Sequence, residues 1–250
     1  MSSRGCLVLA LLAIASVAGA DDRAADTPQG FALVELFTSE GCSSCPPADQ
    51  LLARVTANAE KAGRALYTLA FHVDYWDSLG WKDPFSDPAF SRRQADYEDL
   101  LGVRGPYTPQ MVVNGSDQFV GSDESQAEKA IEKFIARNAS VSLALQASVE
   151  GRRVLVDWKV VGARAGAQLH LAWVQAKATS SPNRGENASQ TLQHVNVVRA
   201  FRTVKLDRGF ESRSDLTPPD LDGGSVIAFV QEPKTGAILA AASASISAPR

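Results

Sequence analysis

Apolar and polar positions change rhythm along the chain near residue 140. Before it, short unbroken apolar runs alternate with segments of helical spacing; after it, apolar residues recur at every second position. Residues 31–38 form an apolar, β-rich run that predicts a buried strand, and Ser39-Glu40-Gly41 turns it into Cys42-Ser43-Ser44-Cys45. Residues 48–62 place Leu51, Leu52 and Val55 at helical spacing with Gly63 as a stop, and residues 66–73 read as a second buried strand. This β-α-β unit is long enough for a parallel crossover.

An aromatic, proline-containing stretch from Asp74 to Pro84 follows, then a helix over residues 88–101. Strands at 110–113 and 118–120 flank an Asn114-Gly115 hairpin turn, and a helix over 125–138 takes Ser122 or Asp123 as its cap. Beyond Ala139 the apolar positions are Val141, Leu143 and Leu145; Val154, Val156 and Trp158; Leu169, Leu171 and Trp173; and Val226, Ile227, Phe229 and Val230. Period two between Gly-rich turns predicts antiparallel sheet. The expected fold class is therefore an α/β domain over residues 31–139 followed by a smaller all-β, sandwich-like domain over 140–250.

At 250 residues, 45% hydrophobic and 21% charged, the chain can bury a core without a disulfide or metal staple. A formal net charge of -3 provides no basic field for nucleic acid or anionic lipid, so neither is expected as a partner. Residues 1–20 read as a signal peptide: Arg4, an apolar run from Cys6 to Val17, then Ala18-Gly19-Ala20 as the cleavage pattern. Residues 21–30 read as a flexible lead-in. The expected location is secreted or periplasmic after cleavage near Ala20, with no stable membrane insertion. Asn114, Asn138 and Asn187 each match the N-x-S acceptor pattern.

Of the 3 cysteines, Cys6 leaves with the signal, and Cys42 and Cys45 remain in an oxidising compartment. A bridge over two intervening residues constrains the unfolded chain little, so the pair is better explained by reactivity than by stability. A second C-x-x-C or spaced His pair for a zinc ribbon is missing, and Pro46 stands where haem attachment requires His. A helix amino terminus lowers a thiol's pKa, which makes Cys42 the expected nucleophile and Cys45 the resolving thiol. Pro46 and Pro47 suit the first turn of that helix.

Val34-Glu35-Leu36-Phe37, the cysteine motif, the strand ending at Val73-Asp74, and Gly102-Val103-Arg104-Gly105 before Thr108-Pro109 resemble the thioredoxin superfamily in chain order. More narrowly, the run from Glu35 to Asp49 with His72-Val73-Asp74-Tyr75-Trp76-Asp77 resembles a bacterial family of secreted thioredoxin-like proteins known as a domain of unknown function. The resemblance implies a thioredoxin-like α/β domain. It also implies a cis Thr108-Pro109 bond facing the cysteines, with Thr108 offering backbone hydrogen bonds to a bound cysteine-containing peptide. Leu36 replaces the buried acid of that superfamily. Glu35, one position away, either reaches the site as proton acceptor for Cys45 or serves elsewhere as a surface or ion-paired carboxylate.

His72, Tyr75 and Trp76, at or after a strand's carboxyl end, are candidates to line a substrate groove, with a core histidine and loop packing as the alternative. Arg184 to Asn187 and His194 to Arg199 form polar clusters suited either to binding or to hairpin ends. The expected function is an exported thiol-disulfide oxidoreductase acting on a cysteine-containing protein or small thiol. An unidentified redox partner recycles it, and it needs no metal or cofactor beyond the redox-active disulfide. Two other readings use the same residues: a periplasmic Cu(I)- or Zn-handling protein, and a non-catalytic interaction protein with a local disulfide.

Overall fold

The computed structural model describes residues 30–207 and 210–247. The expected signal peptide and nearly all of the lead-in lie outside the described residues. Eleven strands and three α-helices follow in chain order: β1 Ala32–Thr38, α1 Pro46–Ala62, β2 Leu66–His72, α2 Pro88–Leu101, β3 Gln110–Val113, β4 Asp117–Val120, α3 Glu124–Ile135, β5 Ser142–Glu150, β6 Arg153–Val161, β7 Gln168–Ser180, β8 Leu192–Lys205, β9 Glu211–Leu216, β10 Gly224–Gln231 and β11 Ile238–Ser247.

The local expectations of the first half correspond closely to these elements. β1 and β2 run parallel, from Ala32 opposite Leu66 to Thr38 opposite His72. α1 crosses between them, with Pro46 and Pro47 inside its first turn and Gly63 closing it at φ 61°. β3 pairs antiparallel with β1 and with β4, through a turn in which Asn114 and Gly115 have φ of 48° and 61°. Asp87 caps α2 by accepting the Ala89 N–H, and Asp123 caps α3 by accepting that of Gln126.

The division into an α/β thioredoxin-like domain and a separate all-β domain is overturned. Among the described residues, one mixed sheet contains every strand, in the order β4-β3-β1-β2-β8-β7-β10-β11-β5-β6-β9. The join is a parallel contact of β2 with β8, Ala70 opposite Val197. The two halves also share a core: Phe37, Phe71 and Tyr97 pack in one cluster with Val174, Val198, Ile227 and Phe229. Exposing those last four side chains would cost roughly 1.5–3 kcal/mol each. Their sum is comparable with the whole stability of a typical domain, so the halves fold as one.

β10 shows why the pattern misleads. Its run Val226-Ile227-Ala228-Phe229-Val230 is buried on both faces: Val226, Ala228 and Val230 enter a core with Trp158, Leu169 and Trp173, while Ile227 and Phe229 enter the shared one. A continuous apolar run marks a strand covered on both sides, which one half alone does not supply. Among the described residues no helix is long and apolar enough to cross a membrane.

Candidate functional site

The sharp exit from β1 carries the cysteines. The Cys42 N–H donates to Ser39 O at 3.2 Å and the Cys45 N–H to Cys42 O at 3.1 Å, which closes two successive tight turns. Cys45 occupies the cap position of α1, and its carbonyl accepts the N–H groups of Ala48 and Asp49. Cys42 and Cys45 are joined as a disulfide with Cα atoms 5.5 Å apart, and neither is exposed. Cys42 thus precedes the helix by a turn, while Cys45 stands at its cap, just before Pro46.

Two oxygens face the Cys42 sulfur, the Ser44 hydroxyl at 3.3 Å and the Thr108 carbonyl at 3.8 Å. The Thr108-Pro109 bond is cis. Thr108 is fixed from its other end, where its hydroxyl accepts Trp76 Nε1–H at 2.8 Å. A Cβ added to Gly41 would stand 3.1 Å from the Trp76 Cβ, so the small residue before Cys42 makes room for that tryptophan. Tyr75 donates to Gln94 Oε1 at 3.2 Å, and burial pushes its phenol up to about 12. Thr108 and Trp76 thus stand beside the cysteine turn, while Pro109 follows Thr108 in the chain and Tyr75 is held at Gln94.

His72 and Glu35 do not join them there. His72 is fully buried at the end of β2, with Nδ1 2.7 Å from Asp83 Oδ2. Glu35 points to the sheet face away from α1: Leu33 and Phe37 share its face and pack with Tyr97, whereas Leu36 packs with Ala48, Leu51 and Leu52 of the helix. Its carboxylate takes a bidentate pair from Arg93 and a hydrogen bond from Tyr97. Of the two sequence alternatives for Glu35, this is the ion-paired one.

Several site residues come from elements the sequence reading did not connect. The loop joining β7 to β8 lies over the cysteine turn. There Asn187, fully buried, donates through Nδ2 to the Glu40 and Cys42 carbonyls, both at 2.9 Å, and the exposed Glu186 accepts the Ser43 N–H at 2.9 Å. Ser43, through its side chain first and its N–H second, holds the Glu186 carboxyl below its ordinary range. The N-x-S match at Asn187 is thus occupied by packing, as is Asn114, whose Oδ1 accepts the Leu33 N–H; Asn138 is exposed.

Beneath the turn is a buried charged cluster. Glu40 accepts from Trp81 Nε1 at 2.7 Å and from the Ser180 hydroxyl. His194 of β8 lies between two carboxylates, with Nε2 3.4 Å from Glu40 Oε1 and Nδ1 3.6 Å from Asp49 Oδ2. Those contacts are close enough for charge attraction but are not aligned as hydrogen bonds. Burial alone would lower the His194 pKa; Asp49 and Glu40 outweigh it and raise the imidazole to about 9. Asp83 receives the Glu40 N–H at 2.8 Å as well as His72, and these contacts outweigh burial and hold its carboxyl below the ordinary range. Arg184–Asn187 and His194 carried a polar signal in the sequence; the topology decides what they touch. Among the described residues no group of three or more His, Cys, Asp or Glu is arranged to hold a metal ion.

A disulfide across two residues at a helix start, set in a mixed sheet and braced by a buried acid-histidine cluster, defines a C-x-x-C protein compatible with thiol-disulfide chemistry. The chain belongs to the DUF1223 family, described as a protein of unknown function, whose model matches residues 33–231. A crystallised protein of Agrobacterium tumefaciens is similar at 28% identity and TM-score 0.64, over 85% of this chain and 92% of that one. HBP35 of Porphyromonas gingivalis matches at 15% identity and TM-score 0.64, over 88% of this chain and 76% of that one, which is a likeness of fold alone. No curated protein matches the chain.

Proposed function

We propose that this protein is an exported thiol-disulfide oxidoreductase working through Cys42 and Cys45. The observation that carries the reading is the pair itself: a disulfide spanning two residues at the amino end of α1, with Ser44 Oγ 3.3 Å from the Cys42 sulfur. Once reduced, Cys42 has a hydroxyl donor beside it, and the dipole of α1 favours negative charge at the helix amino end. The Thr108 carbonyl accepts a hydrogen bond from the thiol form. Export is supported by the apolar run and small-x-small pattern in residues 1–20.

In the forward direction a substrate thiolate attacks one sulfur, the intramolecular bond breaks, and the electron pair leaves on the other sulfur as a thiolate. A second substrate thiolate then attacks the mixed disulfide, releasing the oxidised substrate and the reduced pair. Thr108, Pro109, Tyr75 and Trp76 form the side along which a cysteine-containing chain or small thiol approaches. Because both cysteines are fully buried and Asn187 spans their turn, the β7-β8 loop must lift for that encounter.

The test is equilibration of the exported chain against a graded glutathione series, with alkylation and mass measurement. Two thiols should appear together within the series, and Cys45→Ser should accumulate a mixed disulfide on Cys42. A pair that stays oxidised at every ratio, with no mixed disulfide in either single-cysteine variant, would mean a static clamp.

A further inference from the structure

We infer that His194 is a positioning residue for the cysteine pair: by offsetting the negative charge of Asp49 and Glu40 beside the cysteine turn, it eases the departure of Cys45 as a thiolate. The inference rests on the exchange reading above, and it adds a residue from β8, far along the chain, to a site built on the first turn of α1.

The cluster flanks the cysteine turn on both sides. Asp49 is one helical turn beyond Cys45 on the same face of α1, and its N–H donates to the Cys45 carbonyl at 3.1 Å. Glu40 lies two residues before Cys42, and Asn187 ties the carbonyls of both together. His194 joins the two carboxylates, and its side chain is 1% exposed. The other groups around it are the His72 ring, edge-on at 4.8 Å, whose Nδ1 is held by Asp83, and Phe85 at 5.8 Å, over which Arg199 stacks. With two carboxylates facing one imidazole, the cluster is less negative when His194 is protonated, which is the form they favour.

When a substrate thiolate bonds to Cys42 Sγ, the Cys42–Cys45 bond breaks and its electron pair goes to Cys45 Sγ. No proton need move in that step, but a full negative charge appears in a buried site, where a cation is worth most. With His194 neutral or absent, Asp49 and Glu40 oppose that charge. With it protonated, one of those two charges is offset and the opposition weakens.

The test is a titration of Cys45 alone, in the Cys42→Ser variant, by thiolate absorbance, which needs no access to the buried sulfur. Adding His194→Gln should raise the midpoint by up to about one unit, because it removes the cation that offsets the neighbouring carboxylates. Adding Asp49→Asn should lower it. Opposite signs from two neighbouring variants are what lost packing does not produce. The inference is overturned if neither moves the midpoint or both move it the same way. If His194→Gln fails to fold, an Asp49→Asn midpoint that is unchanged or raised overturns it. Wild-type protein inert to glutathione would sink the exchange reading, while the single-thiol titration would still report the coupling.

Discussion

Two buried ionic clusters tie the halves of the molecule together, and they are built to different standards. Around Arg93, every partner is in place: Glu35 bonds it twice, Tyr97 and Gln231 accept from it, and its guanidinium lies 5.0–5.7 Å from the ring centres of Phe71, Tyr97, Phe201 and Phe229. Around His194, neither ring nitrogen is aligned with an acceptor, and His72 leaves Nε2 without a partner. A satisfied network locks one geometry; an under-satisfied one next to a reactive bond is free to change charge. The first cluster is thus a clasp between β1, α2 and β10, and the second belongs to the cysteines.

The largest effect that would break this contrast is on the clasp. Arg93→Leu should destabilise the fold by about 3–5 kcal/mol in urea unfolding, since it strands Glu35 as a buried charge. The double variant Glu35→Leu/Arg93→Leu should recover much of that loss. Neither should shift the glutathione equilibrium of the surviving folded protein, and a shift would mean the two clusters are coupled.

Next in size is the pH dependence of the second cluster. His194 has a folded pKa of about 9, above its ordinary 6.5, so its stabilisation is full below pH 6.5 and lost as pH rises through 9. The difference corresponds to about 3 kcal/mol. Unfolding free energies at pH 6 and pH 10 should therefore differ more in wild type than in His194→Gln. Equal differences would remove the contrast between the clusters.

Asn187→Ala takes its donor from the Glu40 carbonyl and one of two donors from the Cys42 carbonyl, and should cost about 1–3 kcal/mol. The same change should speed reaction of the disulfide with dithiothreitol, because the loop no longer holds the turn. Smallest is Glu186→Gln at the exposed rim: thermal unfolding should be unchanged, while alkylation of the reduced pair becomes faster. Slower alkylation would show that this carboxylate assists the site rather than covering it.

Much of the local structure was legible. The Gly63 stop, the Asp123 cap and the Asn114-Gly115 turn each follow from backbone chemistry within a few residues. The two-sided burial of β10 was also written in Val226 to Val230, but those residues read as alternation once a separate all-β unit was assumed. Glu35 shows a different limit. Its side chain alternates with Leu36, so a shift of one position moves it to the opposite face of the sheet, away from α1.

By itself the sequence determined where the first half of the chain turns, which of its segments are helix or strand, and that two cysteines meet at the start of α1, because these depend on neighbours in the chain; β8, β9 and β11 were not marked by it. Only the tertiary structure decided that β8 lies beside β2, that Arg93 claims Glu35, and that Asn187 and His194 close around the cysteine turn. Such contacts span scores of residues and arise from strand order and burial on both faces of one sheet, which no local pattern specifies.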